Sequence, residues 1–137
     1  MSAAATPTCK VVRADAPYTA EQGSTYASAI SAESVGAQHL WLGLVTIPPG
    51  ARTKAHMHQY HESAFYVLSG EVEIWYGPEL RDHDVARAGD FLYVPAGLSH
   101  VAVNRSATEP CVVVGGRSDA HEQEGVVMQP ELDARVR

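Results

Sequence analysis

Apolar and polar positions along the chain alternate in short runs and do not recur every three or four residues over any long stretch. Val72, Ile74 and Tyr76 alternate with Glu71, Glu73 and Trp75, the period of two of a strand with one buried face. The run Leu40-Trp41-Leu42-Gly43-Leu44-Val45-Thr46-Ile47 is β-branched and aromatic and stops at Pro48-Pro49-Gly50. Phe65-Tyr66-Val67-Leu68 meets Ser69-Gly70, a turn signal that predicts a hairpin with residues 72–76. Phe91-Leu92-Tyr93-Val94 stops at Pro95-Ala96-Gly97, Val101-Ala102-Val103-Asn104 resumes, Val112-Val113-Val114 runs into Gly115-Gly116, and Val126-Val127-Met128 ends before Pro130. Strands of this length, punctuated by Gly and Pro at intervals of about ten residues, predict an all-β sandwich or barrel. The charged stretch 79–88 reads as a surface loop or a short exposed strand, and Glu131 to Arg137 as a short helix.

Length and composition narrow the picture. The 137 residues and 14.7 kDa suit one domain. We divide the chain into an N-terminal arm at 1–35 that supplies an edge strand or dimer contact, a β-barrel at 36–130, and a C-terminal tail at 131–137. With Lys+Arg at 10 and Asp+Glu at 16 the formal net charge is -6, which disfavours a nucleic-acid partner. No apolar run approaches the roughly 18 residues of a membrane helix, and Met1 to Pro7 lack the pattern of a signal peptide. Cys9 and Cys111 cannot make a disulfide scaffold. A cytoplasmic chain with no membrane partner is expected. No triad, P-loop or dinucleotide fingerprint is present.

The histidines change this bland reading. There are seven, and three fall in His56-Met57-His58-Gln59-Tyr60-His61, directly before Glu62. Neutral imidazole is the commonest protein ligand for metals, and a carboxylate adds a hard oxygen suited to Fe(II) or Mn(II). His56 and His58, at i and i+2, share one face of a strand. Pro95-x-Gly97 makes a tight turn, which swings His100 toward the same point.

These residues carry a resemblance. Gly50-x5-His56-x-His58-x3-Glu62 resembles the first cupin motif, and Gly89-x5-Pro95-x-Gly97-x2-His100-x3-Asn104 matches the second at every position. The two motifs and their flanking strands span about residues 40–117. The resemblance implies a single-domain, double-stranded β-helix (jelly-roll) cupin barrel with a metal inside its mouth. It implies metal ligands His56, His58, Glu62 and His100, one divalent transition metal per chain (Fe(II), Mn, Ni or Zn), and a homodimer. One spacing departs from the family: seven residues separate Glu62 from Gly70, where six are usual, so the carboxylate slot counted back from Gly70 falls on Ser63. Glu62 ligates if a bulge re-aims the strand; His61, with the strand parity of Ser63, ligates in its place if none does; or neither ligates. Glu62 is the preferred choice.

The function expected is that of a metal-dependent enzyme acting on a small oxygenated organic molecule, with dioxygenase chemistry slightly ahead of isomerase or lyase chemistry. His61, when not a ligand, becomes the catalytic proton carrier, since histidine exchanges protons near neutral pH. The alternative is a non-catalytic binding or sensor module with the same metal site. Arg52 and Lys54 are loop charges or contacts for an anionic substrate. Asn104 fixes a strand end. Trp41, Tyr66, Trp75, Tyr76, Phe91 and Tyr93 are mostly packing residues. Arg117 and the histidines 39, 83 and 121 are read as surface groups.

Overall fold

A computed structural model describes residues 6–137; the first five residues of the expected arm lie outside the described residues. The elements are β1 (Tyr18–Thr19), β2 (Thr25–Ile30), α1 (Ala32–Val35), β3 (Trp41–Ile47), β4 (His56–Met57), β5 (Ser63–Ser69), β6 (Glu71–Tyr76), β7 (Asp82–Arg87), β8 (Phe91–Val94), β9 (His100–Val103), β10 (Cys111–Arg117), β11 (Val127–Met128) and a closing 3-10 helix, Pro130–Arg135. They form two sheets, β1-β2-β3-β10-β5-β8 and β11-β4-β9-β6-β7, with antiparallel pairing throughout. This is the expected all-β jelly roll.

Alternation builds the interior. In β3, Trp41, Gly43, Val45 and Ile47 are buried, and in β10 so are Cys111, Val113, Gly115 and Arg117. Gly115 stands opposite Gly43. A Cβ on Gly43 would lie 2.5 Å from the Ala27 carbonyl oxygen and 2.7 Å from the Trp41 ring, so only glycine lets β2 and the indole approach here. The principal core joins Tyr26, Trp41, Val45, Ile47, Val67, Val72 and Val113. A second cluster, Ala55, Leu80, Val101, Val103 and Val136, forms where the C-terminal tail docks on the outer face of the second sheet. Arg52 pins that tail, its guanidinium donating to the carbonyls of Asp133 (2.6 Å) and Val136. Arg52 is therefore a clamp for the tail.

One expectation needs correction. Residues 65–69 and 71–76 do not pair as a hairpin: β5 and β6 lie in different sheets. Gly70, at φ 78, turns the chain from one sheet to the other with its Cβ position only 2.4 Å from the Pro110 carbonyl oxygen. That corner, together with a register shift at Val112/Val113 opposite β5, takes the place of a two-residue hairpin turn. The arm supplies β1 and β2 at the edge of the first sheet, where β2 pairs along β3 from Thr25 to Ile30 and sends Tyr26 into the core.

Candidate metal centre

The first motif places His56 on the two-residue strand β4 and His58 just beyond it. The second motif opens β9 with His100, the direct cross-strand partner of His56. The Pro95–Gly97 turn joins the motifs: Gly97, at φ 78, donates its amide to the His58 carbonyl at 2.7 Å. Asn104 closes the end of β9, donating to the carbonyls of Ile47 (3.0 Å) and Glu109 (2.8 Å) and accepting from the Ser106 amide (3.0 Å).

The three imidazoles are buried, and each offers a nitrogen within 4.8 Å of the other two. Ring centroids lie 4.3 Å apart for His56 and His100, 4.9 Å for His56 and His58, and 5.1 Å for His58 and His100. His56 Nδ1 donates to the Lys54 carbonyl at 2.6 Å, and His100 Nδ1 donates to the Leu98 carbonyl at 2.9 Å. Each bond fixes a tautomer and leaves Nε2 with a free lone pair. Burial holds all three rings neutral. His100 is pushed down to about 3 by burial and then by His56. His58 is pushed down to about 2 by burial and then by His100, His56, His61 and Arg117. His56 is lowered for the same first reason. Three converging neutral imidazoles, two already oriented by backbone carbonyls, fit a divalent transition ion. They line one side of an internal cavity of about 60 Å³ whose other walls include Val45, Phe65, Val67, Ile74 and Val94.

The residues after the first motif arrange themselves by strand parity. Ser63 begins β5 with its side chain buried, and His61, two residues earlier, is buried as well. Glu62 between them is exposed, and its Oε2 accepts a hydrogen bond from the Tyr93 hydroxyl at 2.6 Å. No bulge re-aims it, so the structure does not bring Glu62 to the histidine cluster. The extra residue before Gly70 sends this carboxylate to the outer face. His61 turns inward instead, with its ring centroid 4.7 Å from that of His58.

A carboxylate does reach the cluster, from a part of the chain that carries no motif. Glu124, on the strap between β10 and β11, is buried. Its Oε2 accepts from His61 Nε2 at 3.0 Å and lies 3.6 Å from His58 Nδ1 and 3.2 Å from Arg117 Nε. Its Oε1 accepts from Gln22 Nε2 at 2.7 Å and from the Tyr26 hydroxyl at 3.3 Å. His58, His61 and Glu124 form a second group with metal-ligand spacing. Arg117, expected at the surface, is buried. Its guanidinium carbon lies 4.0 Å from the centroid of the Trp41 ring, and it donates to the carbonyls of His121 and Glu122. The sequence around Glu124, polar and flanked by Gly125, reads as an ordinary loop. An acid whose partners lie about a hundred residues away leaves no local signal.

His61 also faces outward. It lines a surface cleft of about 420 Å³ together with Gln59, Tyr60, Ser118, Asp119 and His121, and its Nδ1 lies 3.9 Å from Asp119 Oδ2. No helix among the described residues is long and apolar enough to cross a membrane.

Comparison with known proteins agrees with this geometry. Quercetin 2,3-dioxygenase of Bacillus subtilis (strain 168) is 41% identical over 54 residues, which cover 39% of this chain and 15% of the dioxygenase. Oxalate decarboxylase of Bacillus subtilis superposes with a TM-score of 0.67 at 25% identity, covering 83% of this chain and 29% of that one; that enzyme contains Mn(II) centres. A Klebsiella pneumoniae protein of uncharacterised function, with a double-stranded β-helix domain, superposes with a TM-score of 0.63 at 19% identity over 80% of this chain and 86% of its own. The chain thus spans a small part of either named enzyme. The family model of the cupin domain matches residues 43–115, more than half of the chain and all of both histidine motifs, and the protein belongs to the cupin family.

Proposed function

We propose that the protein binds one divalent transition metal on His56, His58 and His100 and is an enzyme acting on a small oxygenated organic molecule, with dioxygenation the leading reaction class. The observation that carries this reading is the set of three buried, neutral imidazoles meeting at the inner cavity. The local identity to a quercetin dioxygenase supports the reaction class. When bound, such an ion supplies Lewis acidity and, if it is iron, redox chemistry with dioxygen.

The chain's own residues supply the rest. Three protein ligands leave coordination positions free for substrate or water. The inner cavity, about 60 Å³, holds no more than the reacting end of a substrate, and its apolar walls exclude bulk water from that end. His61 is buried in the wall of the outer cleft, with its ring 4.7 Å from that of His58 and its Nε2 hydrogen-bonded to Glu124, and it carries protons between the metal centre and solvent. A homodimer forms through the outer face of the first sheet, where Tyr66, Leu68, Phe91 and Tyr93 are exposed and the rings of Tyr66 and Phe91 touch at 4.8 Å between centroids.

Oxygen uptake or product formation by the metal-loaded protein with a panel of diketones, catechols and sugar acids tests the reading. The expected result is turnover of one class, and in His61→Gln a fall in kcat of about 10²–10⁴-fold with metal content unchanged. Metal-loaded protein that binds panel members and turns none over points to a binding or sensor module instead.

A further inference from the structure

A histidine ligand has to keep its proton on the nitrogen that does not face the metal, and a fixed acceptor usually holds it there. His56 and His100 share one device for this: each donates Nδ1–H to the carbonyl two residues earlier, of Lys54 and Leu98 respectively. His58 has no such bond. Its Nδ1 is buried without a hydrogen-bond partner, and the acceptor facing it is Glu124 Oε2 at 3.6 Å. A buried neutral imidazole carries one proton. Beside a carboxylate that proton belongs on Nδ1, and a small rotation of either side chain completes the bond. On Nε2 it would point an N–H into the histidine cluster and remove His58 as a ligand.

We infer that Glu124, braced by Arg117, is a positioning residue that sets the tautomer of His58 and turns its Nε2 toward the metal; this rests on the metal-binding reading above. The carboxylate is held for the task from four directions, by Gln22, Tyr26, His61 and Arg117. Arg117 is itself fixed by the Trp41 ring and by two carbonyls of the same strap. The carboxylate's roughly four lone-pair positions take hydrogen bonds from Gln22, Tyr26 and His61 and leave one, on Oε2, for His58, while Arg117 Nε at 3.2 Å is paired by charge without a hydrogen bond. Glu124 lies outside the matched family region, residues 43–115. The strap therefore brings a carboxylate to the centre while Glu62, the acid of the first motif, faces outward.

Long-range ¹H–¹⁵N correlation spectra of the histidine rings in the metal-free protein, paired with Mn(II) titration followed by EPR, test the inference. In the wild type His58 is expected in the Nδ1–H form. In Glu124→Ala it shifts toward the Nε2–H form while His56 and His100 keep theirs, and the Kd for Mn(II) rises by about 10–100-fold. Should Glu124→Ala fail to fold, Glu124→Gln, of equal size and without charge, is expected to move the same two readouts in the same direction. A brace with no role in tautomer choice would lower the unfolding midpoint and leave the His58 form unchanged. Wild-type protein that binds Mn(II), with a folded Glu124 variant matching its Kd and its His58 tautomer, overturns the inference alone. Wild-type protein that takes up no Mn(II) overturns the metal reading and the inference with it.

Discussion

Acidifying the metal-free protein is expected to destabilise it before most of its carboxylates are protonated. The groups responsible are His58 and His100, pushed down to about 2 and about 3 in the folded protein from an ordinary value of 6.5. Between pH 6.5 and pH 3 the unfolded chain binds protons at these positions that the folded chain refuses. Stability therefore falls as pH falls through this window and is fully present above it. Each histidine contributes a slope of about 1.4 kcal/mol per pH unit once the unfolded form is protonated. From pH 7.5 to pH 5 the loss is roughly 2 kcal/mol per ring, or about 4 kcal/mol for the pair, a large share of the roughly 5–15 kcal/mol that holds a domain together. His56, lowered for the same reason, acts in the same direction. Urea unfolding in the presence of a chelator, followed by tryptophan fluorescence at a series of pH values, measures the slope, and His100→Gln should remove one ring's share of it. A midpoint that stays level or rises between pH 7.5 and pH 5 would mean that these rings are not held neutral by burial.

Other outcomes follow from named contacts. Arg117→Met leaves Glu124 buried without its cation and is expected to cost about 3–5 kcal/mol in denaturant unfolding; a change under 1 kcal/mol would mean that the pair is not buried as described. Glu62→Ala removes an exposed hydrogen bond to Tyr93 and is expected to shift stability by no more than about 1 kcal/mol and to leave metal stoichiometry untouched; loss of the metal would restore Glu62 as a ligand. Phe91→Asp places a charge in the exposed apolar face of the first sheet; on the proposed dimer, light scattering gives a dimer mass for the wild type and a monomer mass for the variant, and a monomeric wild type would contradict that proposal.

The sequence made the strands and the three-histidine centre legible for different reasons. Strand alternation in β3, β6 and β10 follows from one-sided burial, and the terminating Gly and Pro residues mark where each run ends. His56, His58 and His100 were visible because two local spacings, one at a strand and one at a tight turn, each leave a pattern. The extra residue before Gly70 was visible too, but the preferred outcome, a bulge that keeps Glu62 a ligand, is not what forms: the strand keeps its parity, Ser63 and His61 turn inward, and Glu62 faces outward to Tyr93. The sheet switch at Gly70 was not legible, because Ser-Gly between two β runs signals a turn and does not say whether the strands on either side pair. Glu124 and Arg117 were illegible for a stronger reason. Their burial depends on Gln22, Tyr26, Trp41 and His61, contacts that join segments far apart along the chain.

Whether His56, His58 and His100 hold a metal is decided by metal analysis of the purified protein. Close to one divalent transition ion per chain is expected in metal-replete wild type, and its loss in a His56→Ala, His100→Ala double variant whose circular dichroism still shows a folded β protein. Full occupancy in that variant, or none in the wild type, would contradict a metal site on these histidines.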